Sequence, residues 1–136
     1  MTVTITAFYA SLLALLFIVL SFKTINLRKK HLVGVGDGGE QSLTRAIRVH
    51  GNFSEYTPLA LILLGAYELS GASAVIIHLL GASFFLARIL HALGLGKSAG
   101  TSKPRFFGMI ITFLVLLILA ILNISYFLAL MISSQA

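Results

Sequence analysis

An all-α, integral membrane four-helix bundle is the fold this sequence predicts, and three observations predict it. Apolar residues make up 58% of the 136 positions and charged residues only 10%, against about 25% charged in an ordinary soluble domain. Four apolar stretches approach the roughly 20 residues that a helix needs to cross a hydrocarbon core of about 30 Å. Every lysine and arginine lies in or beside two of the three connections between those stretches. A membrane β-barrel would need alternating strands and far more chain.

The first span, 3–22, holds no charge. Its first cation, Lys23, follows the apolar run, the reverse of a secretory signal with a positive leading region. The second span, 42–69, is polar in its first half. The third covers 73–95, and the fourth, 105–132, is the most apolar. Between the first two lies a polar loop, 23–41, with Arg28, Lys29, Lys30 and the turn signal Gly36-Asp37-Gly38-Gly39. That turn lacks the flanking strand and the spacing of a phosphate loop. A tight turn near Ser70-Gly71-Ala72 joins spans two and three. Loop 96–104, with Lys97 and Lys103, joins three and four. The length, with a mean hydropathy of +1.01, suits a single membrane domain over 1–136.

The cations set an orientation. Lys23, Arg28, Lys29, Lys30, Arg45 and Arg48 belong to the first loop and its flank, and Arg88, Lys97, Lys103 and Arg105 to the third connection and its flanks. The positive-inside rule places both loops in the cytoplasm and both termini outside. The net charge of +6 therefore reflects orientation and not nucleic acid, for which a basic groove with stacking aromatics is lacking. Cysteine is absent, which excludes disulfides and thiolate metal sites. Any thiol chemistry must use a thiol brought by a ligand. No two histidines have persuasive metal spacing.

The informative stretch opens the second span: Arg45-Ala-Ile-Arg48-Val-His50-Gly-Asn52-Phe-Ser-Glu55-Tyr56-Thr-Pro58. Arg48, Asn52 and Glu55 fall on one helical face, with Arg45 and Tyr56 near it and His50 roughly opposite. Glu55 lies about 15 Å along the axis from the first arginines, where an ionised carboxylate costs several kcal/mol unless paired. Arg48 can reach toward it and Asn52 can bridge. The stripe must face the bundle interior or a subunit interface. A structural hydrogen-bonding network is one reading. The other is a pocket for a zwitterionic or anionic ligand, since arginine binds carboxylates bidentately. Pro58 removes one backbone hydrogen bond just beyond the cluster.

A second polar set comes from the later helices. Arg88 and His91 share a side of span three, and Arg88 is deep enough to pair with Glu55 or a backbone carbonyl. Arg105 follows Pro104 in the first turn of span four, at the mouth of the same site. Lys97 and Lys103 read as orientation signal and headgroup contact. Glu68 lies at the opposite face, where an acidic residue costs little. His78, Asn123 and Tyr126 read as hydrogen-bonded packing residues.

Arg45-x-x-Arg48-x-His50-x-Asn52-x-x-Glu55-Tyr56-x-Pro58, with Arg88-x-x-His91 on the third helix, resembles the MAPEG family of membrane-associated proteins in eicosanoid and glutathione metabolism. The resemblance covers essentially the whole chain and is strongest to the family's bacterial inner-membrane branch. It implies a homotrimer, with glutathione bound between subunits near the cytoplasmic face and a lipophilic small-molecule substrate entering from the bilayer. It implies glutathione contacts from Arg48, Asn52, Glu55, Tyr56, His91 and Arg88, and a catalytic Arg105 that stabilises the thiolate. One departure is that Leu95 stands where better-known members carry a tyrosine, which removes a hydrogen bond to the ligand. The activity implied is a glutathione transferase or peroxidase. The rivals are a small membrane transporter, to which Glu55 on helix two among arginines is poorly suited, and a non-catalytic ligand-binding or assembly protein on the same scaffold.

Overall fold

The computed structural model describes residues 2–97 and 100–135, which form four helices: α1 (Thr4–His31), α2 (Gln41–Leu69), α3 (Ala74–Lys97) and α4 (Lys103–Ser133). Three of them, α1, α3 and α4, are long and apolar enough to cross a membrane. The 29-residue α2 is as long, but its first half carries Arg45, Arg48 and Glu55.

Helix α1 runs to His31 instead of ending with the apolar run at Phe22. The apolar run marks the depth of a bilayer, not the limit of the helix. Arg28, Lys29, Lys30 and His31 form the last turn, where cations favour the negative end of the helix macrodipole. Leu32 then turns the chain in a left-handed conformation (φ 56°), and the Val33 N–H bonds back to the Arg28 carbonyl at 3.0 Å. Arg28 also donates to the carbonyls of Gly34 and Gly36, at 3.1 and 2.9 Å. The loop before α2 is thus tied to the end of α1.

Helices α2 and α3 occupy the middle of the bundle, with α1 against both on one side and α4 against both on the other. Leu13, Phe53, Ala60, Leu64, Ile77, Phe84, Val115 and Leu119 fill the centre. Leu15, Val19, Ile62, Leu79 and Leu117 point outward and are exposed, as a lipid-facing surface requires. In lipid such helices gain little from burying apolar area, so close packing and interhelical hydrogen bonds hold them together. At the end away from the cations, the Glu68 carboxylate accepts the N–H groups of Ile5 and Thr6, at 2.9 and 2.7 Å. The last turn of α2 thereby satisfies the free donors at the start of α1. Nearby, the Tyr9 hydroxyl meets His78 Nδ1 at 3.1 Å, and Asn123 donates to the Leu63 carbonyl at 3.0 Å. His78 and Asn123 thus act as packing residues with hydrogen bonds, while Tyr126 lies on the exposed side of α4.

Candidate functional site

The opposite end of the bundle holds a cleft of about 220 Å³, lined by Thr44, Arg45, Arg48, Asn52, His91, Leu95 and Arg105. Helix α2 supplies its first wall. The helical repeat sends Leu43, Ala46, Val49 and Phe53 into the core and leaves Arg45, Arg48 and Asn52 on the flank. Helix α3 supplies His91 and Leu95, one turn apart, and α4 supplies Arg105.

Two close approaches bring α3 and α4 together here. A Cβ on Gly108 would stand 2.7 Å from both the Ala87 carbonyl oxygen and the His91 nitrogen. A Cβ on Gly94 would stand 2.9 Å from Arg105 Cα. Only glycine permits either approach, so these two residues fix how near Arg105 comes to His91 and Leu95. Arg105 Nη1 donates to the Gly100 carbonyl at 3.4 Å.

Arg88 is the largest fully buried side chain, 1% exposed. It reaches Asn52 from the bundle interior and does not line the cleft itself. Its Nη2 donates to Asn52 Oδ1 at 2.9 Å, and its guanidinium lies 5.5 Å from the centre of the Tyr56 ring. Its partner is therefore an amide and an aromatic face, not Glu55 or a backbone carbonyl. The reason is geometric: Glu55 lies on the outward flank of α2, its side chain 53% exposed, with Oε1 4.0 Å from Arg48 Nη1. Tyr56 turns toward α4, its ring 5.7 Å from that of Phe113. Glu55 and Tyr56 lie beyond the cleft lining, one turn further along α2. His50 points away to α1, with Nε2 3.0 Å from Ser21 Oγ.

The sequence stripe is thus split into two layers. Arg48 and Glu55 form an open pair at the surface, Arg88 and His91 are buried behind it, and the half-buried Asn52 stands between the two. Thr44 and Arg45 line the cleft as well. Their signal was Arg45's place one turn before Arg48 on the same stripe.

The cleft is cationic. Arg45, Arg48 and Arg105 converge on it, while the carboxylates of Asp37, which accepts the Thr44 hydroxyl at 2.7 Å, and Glu55, 4.0 Å from Arg48, flank it. Several buried donors have no partner among the described residues: Arg45 Nε, and Nε and Nη1 of Arg88. Buried polar atoms are rarely left unsatisfied; Arg45 lines the cleft, so its donor fits a ligand with anionic oxygens, whereas the Arg88 donors lie behind the lining, beside the Tyr56 ring. Among the described residues, no three histidine, aspartate or glutamate side chains converge.

The MAPEG family profile matches residues 6–125. Inner membrane protein YecN of Escherichia coli K12 is 36% identical over 122 residues, covering 90% of this chain and 92% of that protein. Its counterpart in Escherichia coli O6:H1 matches to the same extent. A profile that spans most of the chain, and a relative matched nearly end to end, establish that this protein belongs to the MAPEG family.

Proposed function

We propose that the protein binds glutathione in the cationic cleft and uses it as a transferase or peroxidase toward lipophilic molecules. The cleft itself carries this reading: three guanidiniums from α2 and α4 face one space, and one of them, Arg45, has a buried Nε with no partner among the described residues. Glutathione has two carboxylates and one ammonium. Arg45 and Arg48 suit a carboxylate, and Glu55 suits the ammonium. Asn52, held by Arg88, offers its amide as a further donor, and His91 shapes the inner wall.

When bound, glutathione supplies a thiol that can act as a nucleophile or a two-electron reductant. A free thiol has a pKa near 8.5, so the residue that matters most is the one favouring its anion. Arg105, entering from the first turn of α4, has the charge for that role. The family's membership supports the reading, since it includes glutathione-dependent enzymes.

Arg48 and Glu55 are more than half exposed on the single chain, at a depth where lipid would penalise both. A homotrimer in which a neighbouring subunit covers this flank removes the penalty and completes the site. With this flank covered, α2 serves as a fourth membrane span, and the positive-inside rule puts the cationic end in the cytoplasm of a bacterial inner membrane and both termini in the periplasm. A non-catalytic binder is the second reading, and Leu95 favours it: an apolar side chain lines the cleft where a hydroxyl would complete ligand recognition.

Calorimetric titration of glutathione into detergent-purified protein tests the proposal. Wild type should bind at millimolar concentration or tighter, and Arg48→Ala should bind at least tenfold more weakly. Absence of binding by wild type would sink it. Turnover of a chromogenic electrophile then separates an enzyme from a binder. Glu55-dependent, proton-coupled efflux in vesicles would instead make the protein a transporter.

A further inference from the structure

A second groove opens between α1 and α3 at the cationic end of the bundle, on a different face from the cleft. Its volume is about 290 Å³, and it is lined by Leu16, Val19, Leu20, Ile89, Ala92 and Leu93, with Gly96, Lys23 and Lys97 at the mouth. The floor is apolar throughout. The two cations come from different helices yet line the same groove, and Gly96, having no side chain, leaves room for Lys23. A Cβ there would stand 3.4 Å from Lys23 Nζ, so the Lys23 ammonium rests over the end of α3, one residue from Lys97.

Among the described residues no carboxylate pairs with either lysine. The sequence has only four carboxylate side chains, and each has another partner. Asp37 accepts Thr44 and the Gly39 N–H. Glu40 pairs with His31, Glu55 with Arg48, and Glu68 with the start of α1. Two lysines at the mouth of one apolar trough make it favourable for an anion. Its charge must come from outside the chain, and its body must be apolar enough for the floor.

We propose that the α1–α3 groove is a binding site for an anionic glycerophospholipid, with the headgroup phosphate between Lys23 and Lys97 and an acyl chain along Leu16, Val19, Leu20, Ile89 and Leu93. The lysine stems add apolar cover while their ammoniums stay at the polar boundary. Basic pockets between membrane helices recognise anionic headgroups by this means. Orientation alone requires cations on this side, but it does not require two of them, from different helices, to line one apolar trough.

The site is tested by native mass spectrometry of the detergent-purified full chain. The protein is incubated with phosphatidylglycerol or with phosphatidylcholine of the same acyl chains. Wild type should retain phosphatidylglycerol in clear preference. At about fivefold per lysine near a membrane surface, the preference should reach roughly thirtyfold at low ionic strength. It should disappear in Lys23→Gln/Lys97→Gln and survive in Lys23→Arg/Lys97→Arg. Gly96→Leu, which fills the mouth, should weaken retention of phosphatidylglycerol with both lysines intact. Equal retention of the two lipids by wild type, or a preference that persists in the glutamine variant, overturns the proposal. So does displacement of the lipid by millimolar inorganic phosphate, which would make the site one for a free anion. Lys23 and Lys97 are exposed and lie outside the glutathione cleft, so failure here leaves the proposed function standing.

Discussion

Arg88 on α3 donates to Asn52 on α2 at 2.9 Å, and this bond joins the buried and open layers of the site. The guanidinium is fully buried while Asn52 also lines the cleft. The amide therefore faces two ways: its oxygen holds Arg88, and its nitrogen remains for a ligand.

Removing one partner is expected to be worse than removing both. Asn52→Ala leaves a buried cation with one fewer acceptor, a loss of about 2–3 kcal/mol. Arg88→Met keeps much of the volume and removes the charge, so Asn52→Ala/Arg88→Met should recover part of that loss. Thermal unfolding in detergent measures this. A double variant less stable than both single variants would show that the bond is not the main partner of Arg88.

Much of this site was legible from helical spacing, because Arg48, Asn52 and Glu55 recur at the period of one face. The partner of Arg88 was not. Spacing places residues around one helix but says nothing of the rotation of α3 against α2, and that rotation gives Arg88 to Asn52 instead of Glu55. The start of α1 was hidden for a similar reason. Glu68 looked like a tolerated acid at the far face, yet it holds two N–H groups more than sixty residues away in sequence. Hydropathy marked four spans, the first of them 3–22, but did not show that α1 continues as a helix to His31, since it measures affinity for lipid and not helix propensity.

Gly108 sets the distance between α3 and α4. Gly108→Ala places a methyl group against the Ala87 carbonyl and the His91 nitrogen, and a backbone cannot swing aside as a side chain can. The substitution should cost about 1–3 kcal/mol and move Arg105 away from His91. Stability and glutathione affinity should fall together. Unchanged affinity at reduced stability would show that Arg105 keeps its place without the close approach.

The loop before α2 should loosen in acid. Asp37 accepts the Gly39 N–H at 3.0 Å and the Thr44 hydroxyl at 2.7 Å, which holds its carboxyl below the ordinary range. A depressed value in the folded state stabilises the loop above the unfolded value of about 4. That contribution is lost as pH falls from there through the folded value. Amide exchange at Gly39, corrected for its intrinsic pH dependence, should rise over that window. Asp37→Asn should exchange faster than wild type at neutral pH and lose this acid dependence.

Leu95 is the position where the cleft departs most from an enzyme's needs. It is buried to 8% exposure and lines the space between His91 and Arg105. Leu95→Tyr keeps an apolar body and adds a hydroxyl, and a cleft of about 220 Å³ has room for it. One added hydrogen bond is worth about 0.5–1.5 kcal/mol, so glutathione should bind between twofold and tenfold more tightly. If turnover of an electrophile rises along with affinity, the wild-type cleft already places the thiol correctly and Leu95 only weakens its hold. If affinity rises and turnover does not, the scaffold is a binder and the chemistry was lost elsewhere, with Arg105 the first residue to test. Weaker binding by Leu95→Tyr would mean that the ligand lies away from α3, against Arg45 and Arg48 alone.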